Sequence, residues 1–217
     1  MNSLKNFFLS SEGDNWFKRN YSKLKNKKYY NDPYSEVIIN LLKTTKGKIN
    51  LLDIGTSDGS RLSFIRKKIK KKNIKFYGLE PSKFAIRNKK DKKIKIKLGT
   101  ADKIPFQKDY FHIILFSFCL YLCDSNLLTK IINETLRVTK KNSFIVVFDF
   151  FSKKKLHYNY KHILNSKIRI MDNSKIFKSN KKIKLINEKK ISYKFFYKIK
   201  NQKIDNNMLA IHTLKRL

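Results

Sequence analysis

The sequence predicts an α/β fold, a mostly parallel sheet with helices on both faces. Three observations carry that expectation. Short apolar runs alternate with stretches whose apolar residues recur at three-and-four spacing, the alternation of strand and helix. The first run, Ile49–Ile54, stops at Gly55-Thr-Ser-Asp-Gly59, and apolar residues return at Leu62, Ile65 and Ile69 on one helical face. An acid, Glu80, closes the next run, 21 residues after Gly59. Strand, glycine turn, helix and a strand-end acid form the opening unit of a nucleotide-binding sheet.

The glycine turn says something about the ligand. Gly55 and Gly59 let the backbone turn sharply and approach a bound molecule. The pattern is Asp-x-Gly-x-x-x-Gly, not the Gly-x-Gly-x-x-Gly of dinucleotide sites. Pyrophosphate wants free N–H groups at a helix start without a competing carboxylate. Here Asp58 stands at the helix start and Asp53 at the strand end. That suits a nucleoside carrying an amino acid, with Asp53 facing an ammonium group and Glu80 accepting from ribose hydroxyls.

Ahead of the first strand, residues 11–20 read as a helix entry with Ser11 or Asp14 as cap and Trp16 and Phe17 as apolar surface. Asp32-Pro33 opens a second helix with Val37, Ile38, Leu41 and Leu42 on one face. Residues 74–79 form the second strand, and Ser82 caps a helix carrying Phe84, Ala85 and Ile86. Residues 94–98 alternate as a third strand, and 110–122 contain the fourth. Asp124 starts a helix with Leu127, Leu128, Ile131, Ile132 and Leu136 buried, and 144–150 form a fifth strand, apolar except at Asp149. Residues 153–177 are polar, aromatic and irregular, a substrate-facing loop and helix. Residues 183–197 and 208–214 read as two further strands, an antiparallel pair at the sheet edge, making seven in all. With no repeats and no Gly/Ser/Pro linker the chain is read as one domain. It comprises a helical flank or lid (1–46), a cofactor-binding core (47–150) and a substrate-side segment with the last strands (151–217).

The net charge of +35 raises nucleic acid as a partner. Lysine outnumbers arginine several-fold, and asparagine and isoleucine are abundant, the signature of drift toward A/T-rich codons. An RNA-binding face would show arginine and exposed aromatics, so nucleic acid is the less favoured partner; anionic membrane surfaces fit the charge as well. No run of 18 apolar residues appears, and the short apolar patch near residue 8 is too small for a secretory signal, so a cytoplasmic protein is expected. Cys119 and Cys123 share one apolar stretch and read as buried free thiols; no metal set is expected.

Taken together, Leu-Asp-Ile-Gly-x-x-x-Gly at 52–59, Glu80, Gly-Thr-Ala-Asp-x-Ile-Pro-Phe at 99–106 and Phe-x-Ile-Ile at 111–114 resemble the class I S-adenosylmethionine-dependent methyltransferases over about residues 50–150. The resemblance implies a Rossmann-like class I methyltransferase fold, S-adenosyl-L-methionine as cofactor and a small-molecule methyl acceptor. It places Asp53, Gly55, Thr56 and Gly59 around the methionyl half, Glu80 on the ribose, Ala101 and Asp102 at the adenine, and Phe118 near the sulfonium. Residues 11–20 and 118–124 are also similar to bacterial methyltransferases that accompany surface-glycan and nucleotide-sugar genes. That narrower similarity implies a front helix closing over the cofactor, Arg19 on the methionyl carboxylate, Trp16 walling the site, and a sugar or nucleotide-sugar acceptor. Two positions depart from the pattern. His112 replaces the usual Asp and reads as structural, and Thr100 replaces an acid, leaving the adenine contact to Asp102 alone.

Methyl transfer needs a general base only when the acceptor must lose a proton. Asp149, His157 and Tyr121 are the candidates near the carboxyl ends of the strands. Two other functions compete. Methylation of RNA or a ribosomal protein is favoured by charge, although the stretch after strand four lacks an Asn-Pro-Pro-Tyr-type motif. A non-catalytic module is disfavoured by the presence together of Asp53, Gly55, Gly59, Glu80 and Asp102.

Overall fold

The computed structural model describes residues 4–25, 29, 32–192 and 208–217. Five strands run parallel: β1 (Ile49–Ile54), β2 (Ile74–Glu80), β3 (Ile94–Leu98), β4 (Phe111–Ser117) and β5 (Thr139–Phe151). A small hairpin follows, β6 (Leu156–Asn159) with β7 (Lys167–Ile170), then β8 (Ile183–Ser192) and β9 (Met208–Arg216). The seven-stranded sheet has the order β3-β2-β1-β4-β5-β9-β8. β9 is antiparallel to both β5 and β8, so six strands point one way and β9 alone is reversed. The expected antiparallel pair is therefore present at this edge, with its second strand slotted inside its first. The part of the expected strand at 193–197 lies outside the described residues.

The central strands are apolar at successive positions because both faces are covered. Leu51, Ile113, Leu115, Val146 and Phe148 face the helices α3 (Pro33–Thr44) and α4 (Ser60–Ile69). Their alternates Leu52, Ile114, Phe116, Ile145 and Val147 face α6 (Leu128–Val138) and α7 (Ser174–Lys178). α3 starts as its Asp32-Pro33 pair dictates: the Asp32 carboxylate accepts from Ser35 N. α5 (Lys83–Arg87) is capped by Ser82, which accepts from Ala85 N. His112 Nδ1 accepts from Asn50 N at 3.1 Å, a link between strands at the end away from the turn.

The front segment differs from expectation. α1 (Leu4–Phe7), a π-helical turn (Phe8–Glu12) and α2 (Gly13–Lys25) form one helical run, so no helix starts at Ser11 or Asp14. The Asp14 carboxylate instead accepts from Ser82 Oγ (2.6 Å) and Phe84 N (2.9 Å), so it caps α5 from across the fold. A Cβ on Gly13 would stand 2.6 Å from Phe8 O and 3.3 Å from Ser82 N, which is why the run can lie so close to the β2–α5 turn. Asp124 does not cap the helix that follows it. A 3₁₀ turn (Ser125–Leu127) leads into α6, and the Asp124 carboxylate accepts from Leu4 N and Lys5 N, both at 3.1 Å, serving the open N–H groups of α1.

The hairpin β6–β7 and α7 occupy the stretch read as irregular. Arg169 of β7 is buried and donates to Leu120 O (3.0 Å), Cys123 O (3.2 Å) and Ser125 Oγ (3.3 Å), fixing the turn after β4. Leu4, Tyr160 and Ile163 form a small separate core, so the front segment and the hairpin pack on one another. Among the described residues no helix is long and apolar enough to cross a membrane.

Candidate functional site

A cavity of about 780 Å³ opens above the carboxyl ends of β1, β2 and β4. That size lies within the roughly 300–1,000 Å³ of small-molecule sites. The front segment roofs it through Lys5, Phe8, Trp16 and Asn20, and the turn after β4 walls it through Phe118, Tyr121 and Cys123.

The floor is the β1–α4 turn. Gly55, Ser57 and Gly59 all adopt the left-handed conformation, with φ of 73°, 58° and 75°. A Cβ on Gly55 would lie 3.0 Å from Cys119 Cβ. Gly78 of β2 completes the packing: a Cβ there would meet Thr56 Cγ2 at 2.4 Å, so only glycine lets the turn fold back over β2. Asp53 is buried at the end of β1; burial raises its carboxyl to about 6, against the pull of Arg61 and the nearby Thr56 hydroxyl. Glu80 ends β2, with Oε2 accepting from Ser57 N (2.7 Å) and Oε1 from Ser82 N (3.0 Å). Burial outweighs those two donors and raises it to about 7. Asp102 accepts from Thr100 Oγ1 and Lys5 Nζ, both at 2.7 Å; burial opposes ionisation, but these partners hold its carboxyl below the usual range.

Among the described residues four buried polar atoms at this floor have no hydrogen-bond partner: Asp53 Oδ1, Thr56 Oγ1, Ser57 Oγ and Arg61 Nε, the last with only its ion pair to Asp32. Buried polar groups are seldom left so. Their gathering at one end of one cavity marks where a polar, charged ligand fits.

Of the residues singled out from sequence, Asp53, Gly55, Thr56, Glu80, Ala101, Asp102, Phe118, Trp16 and Tyr121 line the cavity. Four others do not. Gly59 caps α4 from beneath the turn, and its open side faces Ile94 and Ile96, so the position serves packing. Arg19 pairs with Glu12 at 2.5 Å, and Tyr160 donates to the same carboxylate at 2.6 Å, so Arg19 clasps the front segment to the hairpin. Asp149 is buried, and its carboxylate accepts from Tyr121 N (3.1 Å) and Phe150 N (2.8 Å). It braces the turn after β4, and burial raises it to about 7. His157 is exposed on β6, opposite Arg169.

Arg61 went unrecognised in the sequence. It lines the floor with Nε 3.5 Å from Asp32 Oδ2, hydrogen-bonds Ser117 Oγ, and sits over the rings of Tyr34 and Tyr29 at 5.0 and 5.5 Å. Its only signal was a basic residue two positions after Gly59, lost in a chain so rich in lysine. Lys5 was missed likewise. Cys119 and Cys123 are free and half-buried, and burial pushes both thiols up, Cys123 to about 12, which keeps them neutral. Away from the cavity, His212 Nε2 lies 2.9 Å from Glu188 Oε2 and 3.4 Å from Asp172 Oδ1, a cluster the sequence did not announce.

A seven-stranded sheet with one reversed strand and a ligand cavity over its parallel ends defines a Rossmann-like class I methyltransferase fold. Residues 51–142 match the methyltransferase domain family model. No curated protein matches the chain by sequence. Solved structures do match by fold. A Burkholderia thailandensis 1,6-didemethyltoxoflavin-N1-methyltransferase, with 1,6-didemethyltoxoflavin and S-adenosylhomocysteine bound, has TM-score 0.72 and 10% identity, over 96% of this chain and 87% of that one. The YcgJ protein of Bacillus subtilis has TM-score 0.59 and 16% identity, over 86% and 99%. A SAM-dependent methyltransferase of Methanosarcina mazei has TM-score 0.60 and 12% identity, over 82% and 96%. The chain thus shares the fold of these proteins, and its residues 51–142 match the methyltransferase domain family.

Proposed function

We propose that this chain transfers the methyl group of S-adenosyl-L-methionine to a small-molecule acceptor. The observation that carries the reading is the set of buried polar atoms without a hydrogen bond among the described residues at the β1–α4 floor, beside Glu80 at the tip of β2. A zwitterionic amino acid joined to a nucleoside satisfies them. Asp53 takes the ammonium group, Arg61 takes the carboxylate in place of Arg19, and Glu80 accepts from the ribose hydroxyls. Ala101 and Asp102 flank the adenine, with Lys5 sharing the Asp102 carboxylate. Phe118 lies toward the sulfonium.

The cofactor, once bound, supplies an electrophilic methyl group on a positively charged sulfur. The protein's part is to hold the acceptor in line with that methyl and to exclude water. Trp16 and Phe8 roof the cavity, and Phe118, Tyr121 and Phe150 wall it. This apolar shell supports a small acceptor over an RNA or a ribosomal protein. The charge of +35 is what favours the macromolecular reading, and salt-sensitive RNA retention, which falls steeply with ionic strength, separates the two. The sequence similarity implies a sugar or nucleotide-sugar acceptor, a reading that needs a base beside the acceptor hydroxyl and that an acceptor screen decides.

Calorimetric titration with S-adenosyl-L-methionine tests the proposal. Wild type is expected to bind in the micromolar range and Glu80→Ala to lose binding while staying folded. A folded wild type that takes up no cofactor would overturn the reading.

A further inference from the structure

Resting on that reading, we infer that the acceptor is a flat, conjugated molecule whose reacting atom is already a nucleophile at neutral pH. A phenolate, a thiolate or an aromatic nitrogen fits; an aliphatic hydroxyl does not. The acceptor wall carries the argument. α2 turns Trp16, Asn20, Lys23 and Leu24 into the cavity, the i, i+4, i+7 and i+8 positions of one helix face.

Phe118, Tyr121 and Phe150 line the same cavity. These rings are held in fixed edge-on contacts: Phe118 to Phe150 at 5.3 Å, Tyr121 to Phe150 at 5.0 Å, and Phe118 to the buried Phe148 at 4.6 Å. Phe118 itself is locked in a left-handed turn, φ 51°. A preset cluster of rings, in a cavity that Trp16 also lines, favours another π system. The wall's charge is Lys23, positive, which suits an anionic acceptor.

Of the carboxylates of the cavity, Asp53 and Glu80 end β1 and β2, Asp58 lies in the turn after β1, Asp102 follows β3, and Asp124 lies in the turn after β4. Asp58 is held by Ser60 N, Asp102 by Lys5 and Thr100, and Asp124 by the start of α1. An aliphatic hydroxyl must give up its proton as it is methylated and needs a base beside it. Asp149 is turned to its own loop, Glu12 is clasped by Arg19 and Tyr160, and His157 is on the outside of the hairpin. Burial pushes Tyr29 up to about 12 and keeps both thiols neutral. On the turn that carries Phe118 and Tyr121 the one carboxylate that lines the cavity, among the described residues, is Asp124, and both its oxygens are taken by Leu4 N and Lys5 N.

The chemistry then closes without a protein base. The acceptor's proton leaves for water before transfer. Its lone pair forms the new bond to the methyl carbon, and the carbon–sulfur electron pair returns to sulfur as the thioether.

Trp16 is the chain's single tryptophan and lines the cavity, so its fluorescence reports occupancy. The experiment titrates protein loaded with S-adenosylhomocysteine with 7-hydroxycoumarin and naphthalene-2-thiol, against UDP-glucose and methyl glucoside. Methyl transfer from S-adenosyl-L-methionine to each is followed by mass. Saturable quenching by the two aromatic probes alone is expected, weakened about tenfold or more by Lys23→Glu or Phe150→Ala. Across a series of substituted phenols, the pH midpoint of transfer is expected to follow the acceptor's own pKa. Binding of the sugars, or of none of the four probes, overturns the inference, as does a pH midpoint that stays fixed whichever phenol is used. Residues 193–207 contain one acid, Asp205; loss of transfer in Asp205→Asn would also overturn it. Cofactor binding is measured separately, so its failure condemns the parent reading and its success with sugar methylation condemns this one alone.

Discussion

Cofactor affinity should rise with pH through the neutral range, because the cavity floor holds two carboxyls that are partly protonated until a ligand arrives. Burial places Glu80 at about 7 and Asp53 at about 6. Ribose hydroxyls and an ammonium group bind the ionised forms, so binding expels protons and is favoured at higher pH. From pH 8 to pH 6 the ionised fraction of Glu80 falls about tenfold and that of Asp53 about twofold. The product is an affinity about 20-fold weaker at pH 6, or about 1.8 kcal/mol. Calorimetry at pH 6, 7 and 8, each in two buffers of different ionisation enthalpy, yields both the affinity and the protons released. At pH 7 Glu80 should contribute about half a proton, absent from Glu80→Gln. The ligand's own α-amino group titrates at about 7.7–8.0, so the difference between wild type and variant is the diagnostic quantity. An affinity flat from pH 6 to 7.5, or equal proton release from both proteins, would refute the account of the floor.

Other predictions follow from the same contacts. The ligand-free protein should unfold at lower urea concentration at pH 8 than at pH 5. Asp53, Glu80 and Asp149 have folded pKa values above their unfolded ones, so the stability they confer is complete below pH 4 and is lost as pH rises through 6 to 7, by a few kcal/mol at roughly full effect. A midpoint that rises over that window would contradict this. Asp149→Ala should destabilise by about 1–3 kcal/mol, because the N–H groups of Tyr121 and Phe150 lose their acceptor. It should leave the pH profile of turnover in place, whereas a base would take the profile with it. Arg169→Met should cost roughly 3 kcal/mol in urea unfolding, since the carbonyls of Leu120 and Cys123 lose a buried donor. Gly55→Ala should cost about 1–2 kcal/mol for its left-handed backbone, and weaken cofactor binding further through the clash with Cys119.

The strands were legible in the sequence because both faces of the sheet are covered, which writes each central strand as an unbroken apolar run. Local caps were legible too: Asp32 and Ser82 serve N–H groups three residues on, as their spacing says. Asp14 and Asp124 look the same in sequence, yet each serves a helix start brought close only by the fold. The site divides along the same line. Asp53 and Glu80 are fixed by the strand that ends beneath them, so their spacing located them. Arg19 and Arg61 are both basic residues on helices near the cavity, and only the rotation of each helix decides which looks in. In sequence Gly59 reads as ligand-facing and Gly78 does not stand out for a similar reason, because the steric demand at Gly78 comes from Thr56 on a neighbouring strand's turn.

The reversed strand has a consequence for synthesis on the ribosome. Among the described residues β8 pairs with β9 alone, and β9 fills the space beside β5. Until Met208–Arg216 has emerged, β5 keeps an open edge and β8 has no place to dock. A chain stopped at residue 207 therefore lacks two strands of its sheet while missing one strand of sequence, and presents an apolar edge (Val146, Val147 and Phe148) of the kind that invites pairing between chains. β9 is thus the strand on which this edge of the sheet depends.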